Sequence, residues 1–389
     1  MSSTTETENS AIYSMRTLDF EAQNLELSAE IHPEAAQSAS VSALSREEAP
    51  FNEASTEHHV FSAEHRFEQE SILGTGAYGE VWLVHDRIVE RPVAVKKLVK
   101  SDTQVQENVK REASLGARVA HPGTPTIYDI GVDENGQFRV IMEYMEGEGL
   151  DKIIKRLRNG DPQTLEEYPF HVRAEMLAQL LRVLVAAHQK QIVHSDIKPA
   201  NILVGPSKEV FLCDWGIAFD LNEGPRTRIL GTPNFMAPEQ ITLKDLDTRA
   251  DLFGVAALAY LFLSLHDWHP YTLDLKKYMT EKLTHQAKPV DRVFHTSQGY
   301  TPSEYKAWVH KGLSSNPLDR HQNAVEMLKE LEDIQNGVFC VVCPRTMVKH
   351  WVHRYLKSLD RNPELIFSVT AVSFLAFSIA LVVLGMQLS

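Results

Sequence analysis

The spacing of apolar and polar positions divides the chain into a strand-rich part and a helix-rich part. From Phe67 onward, the runs FEQESILG, EVWLVHD and PVAVKKLV are rich in β-forming residues and are separated by turn signals, which predicts strands. After Glu148, HVRAEMLAQLLRVLVAAHQ and ADLFGVAALAYLFLSL place apolar residues three and four positions apart, which predicts helices. We therefore expect an α+β fold with a small β-rich lobe over residues 66–143 and a larger helical lobe over residues 148–335.

One segment interrupts the predicted strands of the smaller lobe. VQENVKREASLGARV has the pattern of a helix, and TIYDIGVDENGQFRVIMEY has the pattern of a hairpin. The turn of this hairpin is expected at Asn135 and Gly136, because this dipeptide accepts positive φ angles. No internal repeat is visible.

Residues 1–65 differ in composition from the rest of the chain. They contain twelve acidic residues against only Arg16 and Arg46, with little periodicity, so we predict a largely disordered acidic segment. The apolar run AIYSMRTLDF leaves open a docking or autoinhibitory element there. The net charge of the whole chain is −13, which argues against non-specific nucleic-acid binding.

The C-terminal region carries a long uncharged run. Leu365 to Leu384 is twenty residues without a charge, and as a helix it would span about 30 Å, the thickness of a bilayer core. We predict a transmembrane helix over residues 364–386, which acts as a single C-terminal anchor in membrane lipid. A buried core helix is the alternative. The N-terminus shows no signal peptide.

Residues 336–363 precede this run and are basic. Their apolar residues from Val348 to Leu359 fall on one helical stripe, which predicts an amphipathic interfacial helix, with an ordinary linker as the alternative. By the positive-inside rule, the basic residues place the main domain on the cytoplasmic side, as in a bacterial inner membrane. These residues are Arg345, Lys349, Arg354, Lys357 and Arg361.

Three cysteines cannot form a disulfide framework, so we expect a reducing compartment for the main domain. Cys340 and Cys343 form CVVC, which is half of a zinc site, and a metal would need a second chain or the nearby His350 and His353. We expect inert or redox-capable thiols there. Cys213 is expected to be a small core residue, with a cleft thiol open to alkylation as the alternative.

The stretch GTGAYGEV supplies Gly74, Gly76 and Gly79, followed by Val81. This spacing alone is a weak signal, because dinucleotide-binding folds use it too. In those folds it opens a helix, whereas here ESIL precedes it and VWLV follows it. The pattern favours a flexible flap between two strands, whose backbone amides approach phosphate groups. A glycine-rich hairpin turn is the structural alternative.

Lys96, in VAVK, is expected on the third strand. A buried lysine needs a carboxylate partner, and two glutamates on the following predicted helix are candidates. Glu112 is the natural one, since it lies nine residues before HPG, where the helix is expected to end. Glu107 is the rival.

Two further stretches, HSDIKPAN and LCDWG, place four polar side chains in order. Asp196 can accept the proton of an attacking hydroxyl, and Lys198 can neutralise charge on a moving phosphoryl group. Asn201 and Asp214 supply oxygen ligands of the kind that Mg²⁺ prefers. The strand-like runs NILV and VFLC would bring these two residues together as a hairpin does.

With these motifs in this order, Phe67 to Ile334 resemble the eukaryotic-type (Hanks-type) serine/threonine protein kinases, particularly the bacterial members. The resemblance implies a bilobal protein kinase fold with ATP in the cleft. It also implies transfer of the γ-phosphoryl group of ATP to Ser and Thr hydroxyls of proteins, with Mg²⁺ as the metal and Mn²⁺ as an alternative.

The resemblance also assigns roles to residues. By the family pattern, Asp196 is the catalytic base aided by Lys198, Lys96 is paired to Glu112, and MEYM resembles the hinge with Met142 as gatekeeper. The implied metal ligands are Asn201 and Asp214. The residues implied around the nucleotide are Leu73, Gly74, Gly76, Ala77, Gly79, Val81, Ala94, Lys96, Met142, Glu143 and Met145.

The larger lobe carries further family positions. GTPNFMAPEQ resembles the substrate-binding end of the activation segment, with Thr232 in the position that contacts the catalytic Asp and Lys. Glu239 and Arg320 match a buried ion pair that braces this lobe. Asp251 matches the helix residue that anchors the catalytic loop.

Two positions depart from the family pattern. Trp215 stands where phenylalanine is usual, and we expect its packing against the helix that bears Glu112 to survive. Ser195 stands where arginine is common, and serine cannot make the bidentate phosphate contact with which that arginine orders the activation segment. We therefore expect activity that does not depend on phosphorylation of residues 217–230, where Thr227 is the one hydroxyl.

Two functions from different classes remain. A membrane-anchored Ser/Thr kinase is the main expectation, and a non-catalytic kinase-like adaptor tethered to the membrane is the alternative. Degraded Lys96, Asp196 or Asp214 would indicate the adaptor, and all three residues are present. A dinucleotide-dependent enzyme is disfavoured because Gly79 enters a strand. A homodimer in the membrane plane is one candidate route of regulation.

Overall fold

The computed structural model describes residues 60–61, 66–75, 79–98, 103–133, 136–226, 228–270 and 274–338. The chain separates into two compact units, Met1–Lys329 and Glu330–Ser389. In the second unit the described residues are 330–338, which contain the end of the last helix.

A six-stranded sheet forms the smaller lobe, with the spatial order β1-β5-β6-β4-β3-β2. β1 is parallel to β5, and the other neighbouring strands are antiparallel. A helix, α1, follows β4. The elements are β1 (Val60–Phe61), β2 (Phe67–Thr75), β3 (Gly79–Asp86), β4 (Arg91–Leu98), α1 (Thr103–Val119), β5 (Ile127–Asp133) and β6 (Phe138–Glu143).

Strand β1 lies inside the acidic segment for which the composition predicts disorder. Val60 pairs with Val132 and Phe61 pairs with Asp133 at the edge of the sheet. Composition alone does not reveal this partner strand, and disorder of the segment as a whole stays a prediction. Residues 1–59 and 62–65 lie outside the described residues.

The predicted β5–β6 hairpin is confirmed. The two strands pair antiparallel, and Gly136 in the connection has a φ of 74°. This positive φ is the conformation for which glycine is the default residue.

The two faces of the sheet bury different neighbours, because side chains alternate along each strand. One face carries a cluster that includes Val84, Val93 and Val95. The other face packs against α1, where Val140 of the sheet and Val109 of the helix belong to one cluster. The sheet thus orients α1, and with it Glu112, towards the face that carries Lys96.

The larger lobe is mainly helical. Its small sheets are the three-stranded β10-β9-β7 and the pairs β11-β8 and β12-β13. Its elements are β7 (Glu148–Gly149), α2 (Leu150–Arg158), α3 (Pro162–Glu167), α4 (Phe170–Gln189), β8 (Ile192–Val193), β9 (Ile202–Val204), β10 (Val210–Leu212), β11 (Phe219–Asp220), α5 (Pro238–Thr242), α6 (Arg249–Ser264), α7 (Leu275–Lys282), β12 (Phe294–His295), β13 (Gly299–Tyr300), α8 (Lys306–Gly312) and α9 (Ala324–Gln335).

Helix α6 is the centre of this lobe. Every residue from Ala250 to Ser264 is buried, as expected for a helix that is apolar all round. Helices α4 and α8 pack against it. Because α6 cannot move without breaking this core, its one buried carboxylate, Asp251, is a rigid support for neighbouring loops.

The predicted membrane segment belongs to a part of the chain that the structure does not describe. Among the helices that the structure describes, none is long and apolar enough to cross a bilayer. The predicted span over residues 364–386 lies outside the described residues, as do Cys340, Cys343 and the basic segment from residue 339 onward.

Candidate active site

Lys96 and Glu112 form an ion pair on the inner face of the sheet. The Lys96 amine lies 2.7 Å from each carboxylate oxygen of Glu112. Burial lowers the pKa of Lys96, but the nearby carboxylates of Glu112 and Asp214 outweigh it and raise the pKa, so the amine is a cation. Glu107 pairs with Lys110 instead, at 2.8 Å. The prediction of Glu112 over Glu107 is therefore confirmed.

Three apolar residues share the sheet face of Lys96. Val81 is directly opposite Lys96 across β3 and β4, and Ala94 lies two residues before Lys96 on the same strand. Met142 is opposite Ala94 across β4 and β6. Side chains two residues apart or directly opposite point to the same face, so Val81, Ala94 and Met142 line one apolar surface beside the lysine.

The glycine-rich segment connects β2 and β3. A Cβ atom on Gly79 would lie 1.9 Å from the carbonyl oxygen of Lys97, so only glycine fits against strand β4 there. At Gly74 a Cβ atom would meet nothing within 4 Å. Leu73 is 45% exposed. Gly76 and Ala77 lie outside the described residues.

The predicted hinge connects the two lobes after β6. Residues 144–147 have no regular secondary structure, and Met145 is half-buried. The side chain of Glu143 accepts a hydrogen bond of 2.7 Å from the hydroxyl of Thr126. This contact occupies the Glu143 side chain, so a contribution of this residue to nucleotide binding is left to its backbone.

Asp196 is the centre of a hydrogen-bond network. One carboxylate oxygen accepts from the Thr232 hydroxyl at 2.7 Å, and the other lies 2.6 Å from the Lys198 amine. The Asn201 amide nitrogen donates to that second oxygen at 3.1 Å and to the Asp196 carbonyl at 2.9 Å. Burial alone would raise the pKa of Asp196, but Lys198 and Thr232 outweigh it and lower the pKa. Asp196 is therefore a carboxylate that can accept a proton.

Asn201 and Asp214 are brought together by a hairpin, as predicted. Ile202 pairs with Leu212 across β9 and β10, and the Cys213 N–H donates to the Asn201 carbonyl at 2.9 Å. Because the Asn201 amide nitrogen is used by Asp196, its amide oxygen is the atom left for a ligand. Asp214 is exposed and accepts from the N–H of Gly216 at 3.3 Å. Two oxygens of this kind fit a hard divalent cation that takes its other ligands from phosphates and water.

Ser195 and Asp214 share an unusual backbone conformation. Their φ angles are 69° and 61°, in the left-handed region that residues other than glycine rarely adopt. Such conformations persist where the surroundings hold them in place, and they are concentrated at functional sites. Here Ser195 directly precedes Asp196, and Asp214 is itself a residue to which the family pattern assigns a role.

Trp215 packs as expected. It is 5% exposed, and a Cβ atom on Gly116 of α1 would lie 3.4 Å from its indole ring. Its ring also lies edge-on to the His194 ring, with centroids 4.7 Å apart. The indole nitrogen is buried with no hydrogen-bond partner among the described residues, a cost that phenylalanine would not have.

Asp251 supports the catalytic loop from α6. Its oxygens accept from the backbone N–H of Ser195 at 2.8 Å and of His194 at 2.9 Å. His188 contributes a third contact at 2.9 Å. Burial alone would raise the pKa of Asp251, but the contacts with His188 and His194 outweigh it and lower the pKa. The predicted anchoring role is consistent with this geometry.

Glu239 and Arg320 form a buried bidentate pair. The two oxygen–nitrogen distances are 2.6 and 2.8 Å, and Arg320 also donates to the carbonyls of Ser314 and Ser315. Bidentate pairs of this kind are among the stronger hydrogen bonds in proteins. This pair links α5 to the loop before α9.

Some contacts at the site had no signal in the sequence. Gln240 donates from its side chain to the Ser195 carbonyl at 2.9 Å, and the Arg226 guanidinium lies 4.6 Å from the centre of the Phe219 ring. The first contact joins α5 to the catalytic loop, and the second joins Arg226 to β11. Polar residues in a loop look alike in sequence, so only the tertiary fold shows which ones turn inward. Thr227 lies outside the described residues.

A family model of the protein kinase domain matches residues 67–331. The match covers more than half of the chain, and the chain therefore belongs to the protein kinase family. The expected bilobal fold, a curled β-sheet lobe followed by a helical lobe, is confirmed for the described residues.

Curated relatives agree with this assignment. The chain is 31% identical over 278 residues to a probable serine/threonine-protein kinase of Clostridium acetobutylicum, which covers 70% of this chain and 40% of that protein. It is 30% identical over 283 residues to a probable serine/threonine-protein kinase of Streptomyces coelicolor, with the same coverage of 70% and 40%. It is 32% identical over 205 residues to the serine/threonine-protein kinase PknA of Mycobacterium tuberculosis, covering 50% and 46%. The chain thus spans less than half the length of these relatives.

Proposed function

We propose that the chain is a serine/threonine protein kinase, which transfers the γ-phosphoryl group of ATP to Ser and Thr hydroxyls of proteins. The observation that carries this proposal is the position of Asp214. A Cβ atom on Gly216 would lie 3.1 Å from an Asp214 carboxylate oxygen and 3.5 Å from a Glu112 carboxylate oxygen, so Asp214 lies beside the Lys96–Glu112 pair. Against the effect of burial, the pKa of Lys96 is raised by Glu112 and then Asp214, and the pKa of Lys198 is raised by Asp196 and then Asp214. The exposed Asp214 carboxylate therefore acts on Lys96 of the smaller lobe and on Lys198 of the larger lobe, so both lysines face a single cleft.

The residues of this cleft account for phosphoryl transfer. As the substrate oxygen bonds to phosphorus and the bond from phosphorus to the leaving ADP oxygen breaks, the hydroxyl proton passes to the Asp196 carboxylate. Lys198 would balance the charge on the transferred group, and Lys96, oriented by Glu112, would hold the other phosphates. A bound Mg²⁺ or Mn²⁺ ion would neutralise phosphate charge, and Asn201 and Asp214 would hold it.

The same proposal includes activity without phosphorylation of the activation segment. Support comes from Ser195, whose hydroxyl oxygen is buried with no hydrogen-bond partner among the described residues. Serine there offers no cation for a phosphate. Instead, Arg226 of the activation segment lies over Phe219, and burial lowers its pKa to about 10. A cation of the segment itself thus lies beside β11, which pairs with β8 just before the catalytic loop.

The direct test is phosphate transfer from radiolabelled ATP. The full chain, wild type and Asp196→Asn, would be incubated with Mg²⁺ and myelin basic protein. We expect transfer by the wild type and a loss of at least about 100-fold in the variant, as for removal of a general base. Equal labelling by both chains, or none by either while ATP binds, would favour the kinase-like adaptor instead.

We also propose that a C-terminal transmembrane helix over residues 364–386 tethers the kinase, with its domain on the cytoplasmic side of a bacterial inner membrane. The support is the uncharged run and the basic residues before it. Tethering would raise the effective concentration of membrane-associated substrates and of a second copy of the chain. Fractionation would test this: the full chain should sediment with membranes and resist carbonate extraction, and a chain ending at Val338 should not.

A further inference from the structure

Lys282, the last residue of α7, is buried in the larger lobe. Its residue exposure is 1%, although lysine is seldom fully buried. Its amine donates hydrogen bonds to the backbone carbonyls of Pro233 and Met236. It also lies 5.4 Å from the Phe253 ring centre and 5.1 Å from the Trp268 ring centre, within the range of cation–π attraction.

No carboxylate among the described residues forms an ion pair with this amine. Glu239 is close enough to act on its charge, but both Glu239 oxygens are bound by Arg320. Burial lowers the pKa of Lys282 well below its ordinary value. Replacing a buried charged group by an apolar side chain of similar volume is often neutral or stabilising. Fold stability alone therefore gives a poor account of lysine at this position.

Two other side chains bind the same short segment. The Trp268 indole N–H donates to the Asn234 backbone carbonyl at 2.7 Å, and the Tyr278 hydroxyl donates to the Asn234 side-chain oxygen at 2.9 Å. Lys282 and Trp268 thus bind three of the four backbone carbonyls from residue 233 to residue 236, and Tyr278 binds the Asn234 side chain. Side chains of helix α7 and of the loop after α6 thus fix the position of this segment.

The segment is also tied to the catalytic base. Thr232, the residue before Pro233, donates its backbone N–H to the same Asp196 oxygen that accepts its hydroxyl, at 3.0 Å. The N–H groups of Phe235 and Met236 donate to the Thr232 carbonyl at 2.9 and 3.1 Å. A shift of this turn would therefore reach Asp196 through one residue.

We propose that Lys282 is a positioning residue for the protein substrate: by binding the Pro233 and Met236 carbonyls, it fixes the turn over which the chain flanking the phosphorylated Ser or Thr lies. The inference rests on the proposed function and assigns to α7 the positioning of the protein substrate. Lys282 acts through this turn, and among the described residues its amine contacts Pro233, Met236, Phe253 and Trp268 and none of the residues assigned to the nucleotide or the metal.

The test compares Lys282→Met with Lys277→Met in the full chain. Methionine keeps the length of the side chain and loses the amine, and Lys277 lies on the same helix with its side chain 60% exposed. We expect Lys282→Met to raise the KM for myelin basic protein about tenfold, the effect of losing about 1.4 kcal/mol of binding. The KM for ATP should stay close to wild type, and Lys277→Met should change neither KM.

A second measurement needs no activity. Hydrogen exchange of the Asn234, Phe235 and Met236 amides should be faster in Lys282→Met than in wild type and unchanged in Lys277→Met. If exchange and the protein KM both match wild type, Lys282 does not position this turn. A lower thermal midpoint with unchanged KM would also overturn the proposal, because it would indicate a purely structural lysine. If the wild type transfers no phosphate, the proposed function fails, and the exchange rates still decide whether Lys282 fixes the turn.

Discussion

The Asp251 carboxylate accepts the backbone N–H of Ser195 at a distance of 2.8 Å, one residue before the proposed base. Ser195 holds a left-handed backbone conformation that a serine does not favour. Asp251, on the most buried helix of the larger lobe, therefore holds the catalytic loop at the residue whose backbone is strained. This contact between main chain and helix supports the position of Asp196 and does not use the side chain of residue 195.

Replacing Asp251 should loosen the catalytic loop. In Asp251→Asn, one of the two oxygens that accept the Ser195 and His194 N–H groups becomes a donor, so we expect a loss of about 1.5–3 kcal/mol in the free energy of unfolding. The kcat should fall by a larger factor than any change in the KM for ATP. Urea unfolding and steady-state kinetics measure both. Asp247→Asn, which breaks a half-exposed pair with Arg249, should cost less than about 1 kcal/mol, and an equal cost would contradict the expectation.

The Lys96–Glu112 pair should be required for phosphate transfer. Lys96→Met leaves the Glu112 carboxylate without its cation, and we expect the rate of transfer to fall by at least about 100-fold, the usual effect of removing one stabilising charge. The control is Lys110→Met, since Lys110 pairs with Glu107 on the outer side of the same helix. Radiolabelled ATP and myelin basic protein provide the assay. Transfer by Lys96→Met within tenfold of the control would be evidence against this role.

Phosphorylation of Thr227 should be dispensable. Because Ser195 provides no cation for a phosphate, Thr227→Ala should retain activity within about twofold. A loss that approaches that of Asp196→Asn would sink the hypothesis.

Arg226→Gln, in contrast, removes the cation that lies over Phe219, and such cation–π contacts contribute about 0.5–2 kcal/mol. Its activity should fall by severalfold, and limited proteolysis should cut the activation segment faster.

The buried amine of Lys282 should make stability depend on pH in the alkaline range. Burial places its folded pKa well below the 10.5 of an exposed lysine, so between those two values the unfolded chain binds more protons. The free energy of unfolding then rises with pH across this window. Urea unfolding from pH 7 to pH 10 should show the wild type gaining stability relative to Lys282→Met. A constant difference between the two proteins would contradict the assignment.

Cys213 should be unreactive at neutral pH. Burial, with the neighbouring Asp214 charge, raises the pKa of its thiol to about 12, and the thiolate is the form that reacts with alkylating reagents. Iodoacetamide at pH 7.5 should leave Cys213 unmodified for hours, and peptide mass spectrometry distinguishes it from Cys340 and Cys343. Rapid labelling of Cys213 in the folded protein would instead indicate an open cleft thiol.

The sequence predicted most of the site because its chemistry lies in short, ordered motifs. The motif residues lie next to strands or tight turns, so the local sequence pattern also indicates where each side chain lies in the fold. These residues are Lys96, Asp196, Asn201 and Asp214. The choice of Glu112 over Glu107 was harder, since both lie on one helix. Five residues along a helix turn a side chain to a different face, and the sheet decides which face is inward.

Other features depended on tertiary packing that leaves no periodic trace. Lys282 has the sequence pattern of an exposed helical lysine, because LKKYMTEK mixes charged and apolar residues without marking one lysine as buried. The carbonyls that hold it come from residues almost fifty positions earlier. The side-chain contact of Glu143 with Thr126 likewise joins β6 to the residue before β5, which the hinge motif does not indicate.

The short strand Val60–Phe61 has a practical consequence for anyone who trims this protein. It pairs with Val132 and Asp133 at the end of β5, and a chain started at Arg66 would leave the N–H and C=O groups of that edge open to any other strand in solution. Such a fragment would be prone to self-association, and the low activity of an aggregated preparation would then be mistaken for that of an inactive kinase. A start point upstream of Val60 avoids that error.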